Sequence, residues 1–139
     1  METTLALSER TLGTAGILLL TIVAVQLGGF TVLRMVRGSH PVTEFQKAFA
    51  RAGHAHAGVL VILALVGQIY ADAAAMSGVL ELFARTGIWT AAILMSAGFF
   101  LSSAGQDVTA PNRFIWLVYL GAVALALGVV SLGVGLITT

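Results

Sequence analysis

Cysteine is absent from the 139-residue chain, only two prolines occur, and charged residues make up 9% of it. Without cysteine there is no disulfide, no cysteine-held iron–sulfur cluster and no thiolate-ligated haem, so metal chemistry falls to histidine, methionine and carboxylate. A water-soluble domain carries about a quarter charged residues, and this chain falls far short of that surface. Seven Lys and Arg against six Asp and Glu leave a net charge of +1, with no basic stripe of the kind nucleic acid requires. Gly-rich phosphate loops, the His-Glu-x-x-His pattern and a plausible serine triad are also missing from the sequence.

What the chain has in abundance is apolar residues, 58% of the total. A bilayer crossing takes about 20 of them, so the composition predicts a single all-α integral membrane domain over 1–139, a four-helix transmembrane bundle in contact with a lipid bilayer. The spans fall at about 12–33, 49–72, 86–104 and 112–137. Ser8 caps the first and Glu9 suits its dipole; acidic Met1-Glu2 argues for an uncleaved span rather than a signal peptide. Pro41 lies in a polar link from Arg34 to Lys47 that turns the chain back. Residues Ala73 to Arg85, with Glu81 and Arg85 paired at i, i+4, predict a short interfacial helix between the second and third spans. Pro111 is expected in the first turn of the fourth span.

Arg34, Arg37, Lys47, Arg51 and Arg113 flank two of the links, against Arg10 and Arg85 at the opposite side. The positive-inside rule then puts both termini on the non-cytoplasmic side, and a bacterial cytoplasmic membrane is the expected location. Tyr70 and Trp89 are expected at the outer interface and Trp116 at the inner one.

Helices in lipid associate by close packing, so small residues at helical spacing mark contact faces. Gly121, Ala124, Gly128, Ser131 and Gly135 form such a face in the fourth span, and Ala91, Gly98, Ser102 and Gly105 offer a partner in the third. The same stripes suit a homo-oligomer seam or a place in a larger membrane complex.

The segment Arg51-Ala52-Gly53-His54-Ala55-His56-Ala57-Gly58 is the one whose composition packing does not explain. At about 100° per residue, His54 and His56 point about 200° apart and serve opposite faces of one helix. Three readings stay open for them: hydrogen-bonded packing, haem or metal ligation, and a proton or small-solute path. Gln26, Ser102 and Ser103 fall at similar depth and are candidates to orient the imidazoles or line a polar path. Gln68 and Asp72 make a second polar face near the other end of the span, with Asp72 expected as an interfacial carboxylate paired with Arg85.

Gly53-His54-Ala55-His56, followed by small residues and Leu60, resembles the histidine pair on one helix of the catalytic subunit of haem-copper terminal oxidases and their nitric oxide reductase relatives. The resemblance implies His54 as axial ligand of a high-spin haem and His56 as ligand of a low-spin haem, with haem b the cofactor. It covers about eight residues, and the copper ligands of that larger subunit have no counterpart here. A second axial ligand would come from Met35, Met95, loop residue His40 or a partner subunit. The chain alone is accordingly not expected to be a respiratory enzyme; electron transfer, sensing or support of a respiratory complex is the expected role, with an accessory, non-enzymatic membrane protein as the alternative.

Overall fold

The computed structural model describes residues 6–138, so the Met1-Glu2 start lies outside the described residues. Four helices account for nearly all of it: α1 (Glu9–Val36), α2 (Glu44–Ala73), α3 (Gly78–Ser102) and α4 (Trp116–Ile137), the last led in by a 3-10 turn at Arg113–Ile115. All four are long and apolar enough to cross a membrane. Large apolar side chains such as Leu20, Val59, Ile93 and Val130 are exposed along their outward faces, the reverse of a water-facing surface.

The helix ends follow from local chemistry. The Ser8 hydroxyl accepts from the Thr11 amide at the start of α1. Helix α2 begins earlier than its apolar run, because Thr43 and Gln46 form a reciprocal capping box that starts the helix among polar residues. The expected short interfacial helix is not a separate element. Ala75 and Gly78 take positive φ (46° and 69°) and complete the turn between α2 and α3, and from Gly78 the chain runs straight on as the first turns of α3. Pro111 likewise falls outside the helix, just before Asn112, whose side chain caps the 3-10 turn by accepting from the Phe114 amide at 2.8 Å.

Helices α3 and α4 make the closest pair. A Cβ added to Gly87 would lie 2.6 Å from the Ala124 carbonyl oxygen and 2.8 Å from the Gly128 nitrogen, and one on Gly121 would lie 2.9 Å from the Met95 nitrogen. Backbone thus meets backbone, which only glycine permits. The α3 face is Gly87, Ala91, Met95 and Gly98, while Gly105 belongs to the loop (φ 136°) and Ser102 turns toward the α3–α4 link, its carbonyl accepting from the Asn112 amide. On α4, Gly121, Gly128, Ser131 and Gly135 are buried and Ala124 partly so.

Helix α2 packs on the other side of α3, where Gly67 meets Ile88 and Leu132. Helix α1 stands at the edge of the bundle. Its backbone approaches α2 and no other helix among the described residues, along Thr11, Leu18 and Val25 at heptad spacing. Almost none of its apolar stretch is buried, and an open groove separates α1 from α3. Trp89 is half-buried on the wall of that groove.

Candidate functional site

The helical geometry of α2 sends its two histidines to different neighbours. His54 packs against the paired glycines of α1: a Cβ on Gly29 would lie 3.1 Å from its Cε1 and 3.2 Å from its Nε2, and one on Gly28 would lie 3.8 Å from its Nδ1. The imidazole therefore fills the space that two missing side chains leave where α1 crosses α2, with its Nε2 edge against the Gly29 backbone.

His56 faces α3, its ring 5.0 Å from that of Phe99 and tilted by 36°. Its Nδ1 lies 2.8 Å from the Ala52 carbonyl oxygen. A carbonyl only accepts, so Nδ1 donates and the neutral ring carries its lone pair on Nε2. The aromatic contacts continue from Phe99 to Phe49 (5.4 Å) and on to Phe45 (4.2 Å), an apolar string beside the ring. The opposed directions of His54 and His56 match the spacing argument.

The other residues named from the sequence do not gather around this pair. Met95 is buried in the α3–α4 seam, where its side chain packs on Gly121. His40 is exposed and lines a crevice of about 770 Å³ at the end opposite the termini, together with Met35, Gln46, Ser103 and Asp107. Gln26 is exposed on α1. Ser102 and Ser103 are buried, but both hydroxyls donate to the Phe99 carbonyl of their own helix (3.3 and 2.9 Å). Among the described residues, no three His, Asp or Glu side chains converge in a way that would hold a metal ion.

Gln68 and Asp72 belong to a more developed polar cluster at the end that carries the termini. Asp72 is not an exposed interfacial carboxylate: its side chain is 7% exposed and that of its partner Arg85 is 6%, and the two form an ion pair at 2.5 Å. Arg85 also donates from Nε to Glu81 (2.7 Å) and from Nη1 to the Thr11 hydroxyl (2.9 Å) and the Gln68 side-chain oxygen (3.3 Å). Gln68 Nε2 donates to the Arg85 carbonyl at 2.7 Å. Asp72 accepts from the Ser8 amide (2.8 Å) and hydroxyl (3.1 Å), so the residue that caps α1 also fastens it to α2. Each of the three guanidinium nitrogens thereby has at least one acceptor, which is what makes a buried charge tolerable. The sequence had signalled the Asp72–Arg85 and Glu81–Arg85 pairs; the contribution of Ser8 and Thr11 was hidden because both read as ordinary helix-start residues.

At the opposite end, Gln46 Nε2 donates to the carbonyls of Ser103 and Gly105, both at 2.9 Å, and the Thr43 hydroxyl donates to the Val108 carbonyl. The α2 cap thus holds the α3–α4 loop. No protein-family model matches the chain, and no similar curated protein or solved structure was found.

Proposed function

We propose that the chain is a small integral membrane protein that crosses the bilayer four times with both termini on the non-cytoplasmic side. It holds haem b or another nitrogen-ligated metal through His56 and works in electron transfer or in support of a respiratory membrane complex. The observation that carries this reading is the His56 Nδ1–H donated to Ala52, since an imidazole held by its second nitrogen has its tautomer and ring orientation fixed for ligation through Nε2. His54 is set aside for this role because its ring packs against Gly28 and Gly29 of α1 and has no carbonyl holding its second nitrogen as Ala52 holds that of His56. Met95 does not fit as a second axial ligand, being packed into the α3–α4 seam. The chain then supplies one ligand, and the coordination is completed across an interface, by a second copy in a homo-oligomer or by another subunit. When bound, haem supplies a one-electron couple; the protein's part is to hold the ring of His56 and keep Phe99 against it.

The topology is supported by charge: Arg85 is consumed in a buried ion pair, so among the residues flanking the links Arg10 alone opposes Arg34, Arg37, Lys47, Arg51 and Arg113. A second reading, a non-enzymatic accessory protein, is favoured by one observation: His54 serves as filler between two helices. Oxidised and reduced visible spectra of the detergent-purified protein, expressed with ample haem and analysed for metals, separate the two. A stoichiometric band lost in His56→Ala and kept in His54→Ala supports ligation; a colourless, metal-free, well-folded protein leaves the accessory reading.

A further inference from the structure

The crevice at the end opposite the termini encloses about 770 Å³, within the range of small-molecule sites. Part of its polar lining is already committed. Gln46 donates to the Ser103 and Gly105 carbonyls and accepts from the Thr43 amide, and the Thr43 and Ser103 hydroxyls each donate to a backbone carbonyl. Three lining side chains are not committed: among the described residues, His40 of the α1–α2 link and Gln106 and Asp107 of the α3–α4 loop make no hydrogen bond or ion pair. The Asp107 carboxylate only accepts, whereas an imidazole presents a ring N–H in either tautomer, so the two call for a cationic donor and an anionic acceptor. Arg34 and Arg37, on either side of the lining residue Met35 in the chain, are exposed, have no acidic partner and add positive charge at this end. The rest of the wall is largely apolar. Ala50 is buried, and Phe100, 38% exposed, carries the crevice onto the lipid-facing surface.

We infer that this crevice binds one phospholipid with a primary-amine head: its ammonium donates to Asp107, its phosphate accepts from His40, and an acyl chain leaves over Phe100. Ala50 adjoins Arg51, one of the cations that mark the interface, so a charged head reaches the site without being drawn into hydrocarbon. A choline head carries the same charges but has no N–H, so the Asp107 carboxylate distinguishes the two. The site stands whatever His56 binds.

Native mass spectrometry of the full-length protein in detergent, supplied with phosphatidylethanolamine and phosphatidylcholine of identical acyl chains, reads the preference. Phosphatidylethanolamine should be retained about fivefold more than phosphatidylcholine, as expected for one charge-assisted hydrogen bond. Asp107→Gly, a replacement that its φ of 52° accepts, should bring the two lipids together. His40→Ala should weaken retention of both by a similar factor and leave their ratio unchanged. Both positions are exposed, so neither variant disturbs the core. Equal retention of the two lipids by the unaltered protein, or a preference that survives Asp107→Gly, overturns the proposal. So does displacement of the lipid by soluble O-phosphoethanolamine at equal concentration, which would show that the acyl chain contributes nothing.

Discussion

Replacing Asp72 by alanine removes one partner from an ion pair whose two side chains are 7% and 6% exposed, and leaves a guanidinium inside the protein. Breaking a buried pair from one side costs about 3–5 kcal/mol. Arg85 keeps Glu81 at 2.7 Å, so its charge is not wholly orphaned and the cost falls near ~3 kcal/mol, roughly a hundredfold in the unfolding equilibrium. Arg85→Ala leaves more behind: Asp72, Glu81, the Thr11 hydroxyl and the Gln68 oxygen all lose a donor, so its cost lies nearer ~5 kcal/mol. The double variant should cost less than the two single changes together, by on the order of 1–3 kcal/mol of coupling. Reversible unfolding in mixed micelles, followed by circular dichroism, measures all three. Added salt should barely change the Asp72→Ala cost, whereas the exposed Arg10–Glu81 contact is open to screening. An Asp72→Ala cost below ~1 kcal/mol, the range of surface pairs, would refute the claim that this cluster fastens α1 to the rest of the protein.

Three further outcomes are expected. Gly87→Ala should separate α3 from α4 and cost about 1–3 kcal/mol because its Cβ meets main-chain atoms that cannot rotate away, while Gly133→Ala, with nothing within 4 Å, should be neutral or mildly stabilising; thermal unfolding in detergent compares them. In the cysteine-free chain, a membrane-impermeant maleimide should label Ser77→Cys from outside intact cells and reach Gln106→Cys only after lysis; the opposite pattern inverts the proposed topology. Gln46→Leu should cost about 1–3 kcal/mol by leaving the Ser103 and Gly105 carbonyls without their donor, and hydrogen exchange should rise across the α3–α4 loop.

The parts of this architecture legible in the sequence are those with local signatures. The four apolar runs, the Ser8 cap, the pairing of Arg85 with Asp72 and Glu81, and the opposed directions of His54 and His56 all follow from local residue type, from spacing within one helix or from charge. What lay beyond reach was the side-to-side arrangement. Lipid and protein interior are equally apolar, so hydrophobic pattern does not say which face of α1 is covered, and the open groove beside it left no trace in composition. Gly28 and Gly29 are the one signal that could have been used, since adjacent glycines in a span invite a bulky neighbour, here His54. The early start of α2 is also written as Thr43-x-x-Gln46, a polar cap that precedes Lys47, Arg51 and the apolar run. Gly87 extends the small-residue face of α3 one turn before Ala91, into the charged start of the helix where apolar spacing gives no marker.

The clasp between Gln46 and the α3–α4 loop joins positions 59 residues apart, and that separation has a temporal meaning. A ribosome adding about 5–20 residues per second needs roughly 3–12 s to deliver Gly105 after Gln46. Throughout that interval the Gln46 side-chain oxygen is held by the Thr43 amide of its own helix cap, while its Nε2 has only water and headgroups to bond. Arrival of the loop replaces those transient partners with two carbonyls that are themselves left open by the end of α3, so each side completes the other. The start of α2 is thus held by residues that the chain supplies only after α3 is complete.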